Sequence, residues 1–227
     1  MLVLAVTMFI GHFAVGFASK RLAPQSSLVP LLVAPLLADI LWPIFLLLGW
    51  EHVRIVPGIT RVSSLDLYDF TLSHSLIGLI VWATLFAAIY LGITRYAAGA
   101  AVVWMAVASH WVLDWIAHRP DMPLYPGSAK YGLGLWNSIS GTIVVELAMF
   151  AGGVWLYQRT TRARDRIGRF GFAAYVLALF ILFIGDPFSG PPSSVQTVIW
   201  TAIVFTSLFL IWAWWFDRHR TLRAELT

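Results

Sequence analysis

The sequence predicts an all-α polytopic membrane protein with about seven transmembrane helices in one bundle. The chain has 227 residues, of which 59% are hydrophobic and 11% charged, whereas soluble domains are about 45–50% apolar and about 25% charged. The mean hydropathy is +0.80. Apolar stretches of about the 20 residues that a helix needs to cross the hydrocarbon core recur along the chain. They lie near residues 1–19, 28–50, 71–94, 97–118, 134–157, 169–186 and 195–216.

The first two spans each place one ionisable residue near mid-membrane. His12 lies in span 1, which lacks the basic region that precedes the apolar part of a signal peptide. Asp39 lies in span 2 between Pro35 and Pro43. Because Pro43 has no N–H to bond the carbonyl of residue 39, we expect a kink that opens the backbone beside the carboxylate.

Spans 3 and 4 hold the densest group of polar side chains. His74 lies one turn inside the start of span 3, and span 4 carries His110, Asp114 and His118 at i, i+4 and i+8. This spacing places the three side chains on one stripe of a helix. Ionisable groups at membrane depth cost a few kcal/mol each, so their clustering indicates a site rather than packing. His118 ends the span at the water boundary, which predicts a position on the rim of that site.

Span 5 adds Glu146 near its middle and Asn137 at its outer end. We interpret Glu146 as a ligand, a general base or a counter-charge, and Asn137 as a second residue of the rim. The loop residues Asp66, Asp69 and Asp121 are predicted to be solvated. Spans 6 and 7 offer no interior ionisable residue and are predicted to be structural.

Basic residues predict the orientation of the chain. The segment 158–169 carries five arginines and the C-terminal tail carries three more. Basic segments stay on the cytoplasmic side of a membrane. Alternation of the spans then places the N-terminus outside, the C-terminus in the cytoplasm and the ligand-type residues in the outer half of the bilayer. Orientation also explains the net charge of +4 without a nucleic-acid partner.

We expect a single transmembrane domain over residues 1–227. Within it, residues 1–157 supply the polar-site helices 1 to 5, and residues 158–227 supply a cytoplasmic basic loop and the structural helices 6 and 7. No repeat or low-complexity segment divides the chain. The sequence leaves the oligomeric state open.

Four helices that offer His or Asp side chains at similar depth predict a divalent-metal site. Zinc is the expected cofactor because it accepts His nitrogen and carboxylate oxygen and leaves a position open for water at catalytic sites. A thiolate ligand is excluded, since the chain has no cysteine. Glu146 and Asp114 are the predicted catalytic groups that transfer protons. The predicted metal ligands are His12, Asp39, His74, His110 and Asp114.

Four motifs follow one another along the chain: an early membrane His, an Asp in a second span, a His-Ser pair that opens a later span, and S-H-x-x-x-D. Here they are His12, Asp39, His74-Ser75 and Ser109-His110 with Asp114. Together they resemble the YdjM-type family of membrane-bound metal-dependent hydrolases over roughly residues 5–140. The resemblance implies a multi-pass protein of the inner (plasma) membrane with a metal-centred hydrolase site.

The chain departs from that family pattern at two places. The proline and paired acidic residues around the second-span Asp are reduced to Ala38-Asp39-Ile40-Leu41, and the arginine before Thr-His-Ser is missing ahead of His74. Three interpretations stay open. Glu146 supplies a second acidic ligand, the site holds one metal rather than two, or catalysis has been lost.

The predicted function is therefore a metal-dependent hydrolase that acts on a lipid or other amphiphilic ester at the outer leaflet. Membrane lipid is the expected partner, and the Pro- and Gly-rich loop 119–133 is the expected substrate rim. Intramembrane His, Asp and Glu also mark ion pathways, so a divalent-cation or proton transporter is the alternative. A non-enzymatic scaffold is the third hypothesis. The hydrolase is favoured because the polar path stops at mid-membrane.

Overall fold

The computed structural model of the protein describes residues 10–223, which are mostly helical. Five helices in this range are long and apolar enough to cross a membrane, and they cover Leu76–Thr94, Ala97–Ala117, Ile139–Thr160, Ile167–Phe188 and Val195–Asp217. The all-α polytopic class is confirmed, but the described residues form five such helices and not seven.

In chain order the α-helices are α1 (Ile10–Leu22), α2 (Leu28–Val33), α3 (Leu37–Leu47), α4 (Thr71–His74), α5 (Leu76–Thr94), α6 (Ala97–Ala117), α7 (Ile139–Thr160), α8 (Phe172–Gly185) and α9 (Val195–Asp217).

The first two predicted spans differ from the observed helices. Residues 1–9 of span 1 lie outside the described residues. Span 2 is divided into α2 and α3 by a turn over residues 34–36, because Pro35 has no N–H to continue the hydrogen-bond ladder. Pro43 lies inside α3, which stays helical through it, so the kink expected there stays a prediction. The break that the structure does show lies just before Asp39, at residues 34–36.

The third predicted span is interrupted at Ser75. This residue is extended, with φ −69° and ψ 149°, and its hydroxyl accepts the backbone N–H of Gly78 at 3.1 Å. Such a side-chain cap starts a new helix, here α5. His74 therefore ends the single turn of α4 and does not lie within a continuous transmembrane helix.

Helix α1 packs directly on α7. A Cβ atom built on Gly153 would lie 2.4 Å from the carbonyl oxygen of Ala14, so only glycine permits this approach of the two backbones. Phe17 of α1 then contacts the rings of Phe150 and Tyr157 on α7, at centroid distances of 6.3 and 5.3 Å. The same aromatic core continues onto α8 and α9 and fixes α1 inside the bundle.

Short antiparallel strands mark the two ends of the helices. At one end, β1 (His52–Ile55) pairs with β2 (Leu65–Asp69), and β3 (Met122–Pro123) pairs with β4 (Lys130–Tyr131). We call this the hairpin end. At the other end of α7, β5 (Thr161–Ala163) pairs with β6 (Arg220–Leu222), with Thr161 opposite Leu222. We call this the ribbon end.

Candidate metal centre

Six ionisable side chains converge on one point towards the hairpin end. Five of them are buried, whereas the side chain of Asp39 is 41% exposed. They come from α1, α3, α4 and α6, and from the residue that follows α6. The six residues are His12, Asp39, His74, His110, Asp114 and His118.

The Asp114 carboxylate lies at the centre of this cluster. Its Oδ2 atom is 2.9 Å from Nε2 of His110 and 3.8 Å from Nε2 of His74. Nε2 of His118 is 3.9 Å from the same oxygen, and Nε2 of His12 is 3.6 Å from Oδ1. Four imidazoles thus direct the same ring nitrogen at one buried carboxylate.

His110 is oriented by the break between α2 and α3. Its Nδ1 atom is 2.8 Å from the carbonyl oxygen of Pro35. A carbonyl oxygen can only accept, so Nδ1 carries the proton, and in its neutral form the ring presents the Nε2 lone pair to Asp114. A lone pair and a carboxylate oxygen 2.9 Å apart repel each other unless a proton or a metal cation lies between them.

His74 is oriented through a chain that ends at Glu51, a residue that the sequence analysis did not single out. The Ser73 hydroxyl donates to Oε2 of Glu51 at 2.6 Å, and it also lies 2.6 Å from Nδ1 of His74. Because its single proton is used towards Glu51, the hydroxyl accepts the Nδ1 proton of His74. Oε1 of Glu51 accepts the backbone N–H groups of Leu72 and Ser73 at 2.7 and 2.8 Å. In its neutral form His74 consequently presents the Nε2 lone pair to the cluster.

His118 lies in the wall of the cluster and not on an exposed rim. It is buried, with its ring 4.2 Å from the ring of Trp136 and stacked 6.1 Å from that of Phe70. Its Nδ1 atom is 3.0 Å from Oδ1 of Asp121. When it is ionised, the Asp121 carboxylate can only accept a hydrogen bond from this nitrogen. Asn137, the other predicted rim residue, is exposed.

Two loop aspartates that were predicted to be solvated are buried. Asp66 pairs with Arg54 at 2.9 Å and also with Arg119. Arg119 lies 3.2 Å from Asp121 through its Nε atom. These ion pairs join β2 to the segment after α6, so they hold the partner of His118 in place. Asp69 is half-exposed, as expected of a solvated residue.

Glu146, a predicted catalytic residue, is buried on α7 but lies against α1. Its carboxylate lies beside the backbone N–H groups of Gly11 and Ile10 at the start of α1. It does not line the cavity at the centre of the cluster. The structure therefore brings Glu146 next to the helix that carries His12 and not into the group of candidate ligands.

A cavity of about 30 Å³, which is room for one water molecule or one ion, is lined by five of the six side chains, all except that of His110. Two groups of three could hold a metal: His12, His110 and Asp114, and Asp39, His74 and His110, with ligand atoms within 4.8 Å of one another in each group. Ligands at about 2.1 Å from a tetrahedral zinc ion lie about 3.4 Å apart. The separations of 2.9 to 3.9 Å around Asp114 bracket that value. The donor set therefore suits one divalent cation.

A family model described as YdjM inner membrane protein matches residues 7–186. The chain belongs to this family. The YdjM match includes all six cluster residues and Glu51, and it extends past the resemblance seen in the sequence, since it also contains α7 and α8. Membership of the YdjM family, together with five membrane-spanning helices, makes this an inner-membrane protein. No curated protein and no solved structure matches the chain.

Proposed function

We propose that the protein is a membrane-embedded, metal-dependent hydrolase that acts on a lipid or other amphiphilic ester at the outer leaflet. The observation that carries this proposal is the direction of the imidazoles. His74, His110 and His118 each have Nδ1 held by an outer acceptor and Nε2 aimed at Asp114. Metal-binding histidines are characteristically fixed in this way by a second partner.

The buried group His12, His110 and Asp114 would hold the ion, and Asp39 and His74, which form the second candidate group together with His110, would lie beside it. Zinc is favoured over magnesium or calcium because the donor set is rich in imidazole nitrogen. When bound, such a cation lowers the pKa of a bound water and polarises a carbonyl or phosphoryl oxygen.

Asp39 replaces Glu146 as our candidate for proton transfer. Its Oδ1 atom is 3.6 Å from Nε2 of His74, and its side chain is the only half-exposed member of the cluster. It can therefore reach both the cavity and a substrate that arrives from outside it. Asp114, which is buried among four imidazoles, serves as a ligand in this proposal.

A groove beside Asp39 supports an amphiphilic substrate. It has a volume of about 200 Å³ and runs between α3 and α9, with Asp39 at its polar end. Apart from Asp39, Thr206 and Ser207, its walls are apolar. Because Asp39 lines the small central cavity as well, an ester group could approach the cluster while its hydrocarbon chain occupies the groove.

The test combines metal analysis with an activity assay on purified protein in lipid vesicles. The wild type is expected to carry about one equivalent of zinc and to hydrolyse lipid or chromogenic esters. The variant His110→Ala should lose both, whereas His52→Ala, at a half-exposed His of the hairpin end, should retain both. A metal-free wild type, or activity that survives His110→Ala, would refute the hydrolase. Metal uptake into the vesicles would instead favour the transporter.

A further inference from the structure

A second cavity, of about 980 Å³, opens near the ribbon end, at the opposite end of α7 from the hairpins. Its volume is at the upper limit of the about 300–1,000 Å³ typical of ligand pockets. Its side walls are the helices α7 and α8, and the β5–β6 ribbon closes one end. The walls are largely apolar, and they include Leu147, Phe150, Val154, Phe172, Val176 and Phe180.

The length of this cavity matches one leaflet of a bilayer. On α7 its lining extends from Leu147 to Gln158 at the ribbon end. At 1.5 Å per residue this interval rises about 16 Å. The hydrocarbon core of a bilayer is about 30 Å thick, so one leaflet contributes about half of that. An acyl chain lying along α7 would thus span the groove from the ribbon to mid-membrane.

Four arginines line the ribbon end of the groove: Arg162, Arg169, Arg220 and Arg223. Arg220 is held by the protein itself, since it donates to the hydroxyl of Thr161 at 3.0 Å and to the carbonyl of Gly168 at 2.7 Å. The other three are exposed, and Nε of Arg223 also donates to the backbone carbonyls of Gln158 at 3.1 Å and Thr161 at 3.4 Å. Three segments of the chain therefore bring guanidinium groups to the polar end of one apolar groove.

These exposed arginines have no acidic partner in the described part of the chain. No carboxylate oxygen there lies within 4.0 Å of a side-chain nitrogen of Arg162, Arg169 or Arg223. The nearby carboxylate of Asp165 is engaged elsewhere, by the backbone N–H of Gly168 at 2.9 Å and by His219 at 2.6 Å. These hydrogen bonds hold the pKa of Asp165 below its usual range, so it stays ionised in that contact.

We propose that the groove binds an anionic phospholipid, with the phosphate against Arg162, Arg169 and Arg223 and the acyl chains between α7 and α8. Guanidinium groups pair with phosphate oxygens through two parallel hydrogen bonds, which a single ammonium does not provide. A zwitterionic headgroup also carries a positive charge, which the three arginines would repel. The groove therefore selects anionic lipids. This site is separate from the metal centre, and its existence does not depend on the proposed hydrolysis.

The experiment measures phosphatidylglycerol binding to the purified full-length protein in detergent, by native mass spectrometry and by the shift in Tm. Phosphatidylglycerol should bind and raise Tm, and phosphatidylcholine and inorganic phosphate should do neither. The triple variant R162Q/R169Q/R223Q should bind phosphatidylglycerol at least tenfold more weakly. The control R21Q/R95Q/R218Q removes the same charge from exposed arginines outside the groove and should bind like the wild type.

A second pair of variants tests the apolar part of the groove without changing charge. Ala151→Trp fills the groove and should also weaken phosphatidylglycerol binding, whereas Ala88→Trp, on a membrane-facing surface of α5, should not. Equal binding of phosphatidylcholine, or equal binding by both triple variants, would overturn the proposal. So would inorganic phosphate binding as tightly as the lipid, because the acyl chains would then contribute nothing.

Discussion

His110 and Pro35 are joined across a helix break, with 2.8 Å between Nδ1 of the imidazole and the carbonyl oxygen of the proline. The proline both interrupts the helix and supplies the acceptor that fixes the histidine. Asp39 begins the next turn, so the same break sets the positions of two candidate ligands on different helices. The interruption of a transmembrane segment here is part of the site.

The variant Pro35→Ala tests this link. A restored N–H at residue 35 would let α2 continue into α3 and draw the carbonyl into the helix ladder. His110 would lose its outer acceptor, and we expect zinc affinity to fall by about tenfold, the effect of losing such a partner. A competitive chelator titration measures it. Pro43→Ala is the control and should stay within twofold of the wild type, because α3 is already continuous there.

The variant Glu51→Gln tests the orientation of His74. The amide oxygen can still accept the two backbone N–H groups, but the amide nitrogen cannot accept the Ser73 hydroxyl proton. That proton would turn towards His74 and force the ring into the other tautomer. We expect zinc affinity to fall by about 10-fold to 100-fold with little change in Tm. Asp69→Asn, in an exposed pair of the hairpin end, should leave the affinity unchanged.

Two adjacent glycines on α7 test the close packing of α1 against α7. Gly153→Ala would place a Cβ atom against the backbone of Ala14, and we expect a loss of about 1–3 kcal/mol of stability, as for overpacked cores. Gly152→Ala meets open space and should be within about 0.5 kcal/mol of the wild type. Thermal unfolding in detergent gives both values. Equal stability of the two variants would show that α1 can move away from α7.

Two adjacent residues on α9 test the groove beside Asp39. Ser207 lines it and is exposed, whereas Leu208 is exposed but does not line it. We expect Ser207→Trp to raise KM for a long-chain ester by about tenfold, since a pocket contact of this kind is worth about 1–3 kcal/mol. A short-chain ester should be unaffected. Leu208→Trp should behave as the wild type with both substrates, and a raised KM there would exclude this route.

The sequence predicted the helical class and the residues of the cluster because both depend on local spacing. The interval of four between His110 and Asp114 places them on one helix face whatever surrounds them. His12, Asp39 and His74 were found because ionisable residues in apolar segments are conspicuous. The YdjM resemblance rested on the same residues, and the match to the family model confirms it.

The sequence could not predict what depends on contacts between distant segments. Both Pro35 and Pro43 can interrupt a helix, and only the fold shows that the break falls at Pro35 while α3 continues through Pro43. Glu51 follows the apolar stretch in a polar connection, so only the fold shows that its carboxylate reaches Ser73. Asp121 was predicted to be solvated from its polar loop, but Arg119 and His118 bury it. Polarity alone does not separate a surface carboxylate from a buried partner.

The candidate ligands come from α1, α3, α4 and α6, which enter the bundle at different times during synthesis. His12 emerges first, and His110 and Asp114 follow only with α6. The outer acceptor of His118 lies still later, at Asp121. Since a metal site gains affinity only when its ligands are assembled, a cation would be captured after α6 has packed against α1. Metal content would then report correct insertion of the first half of the chain.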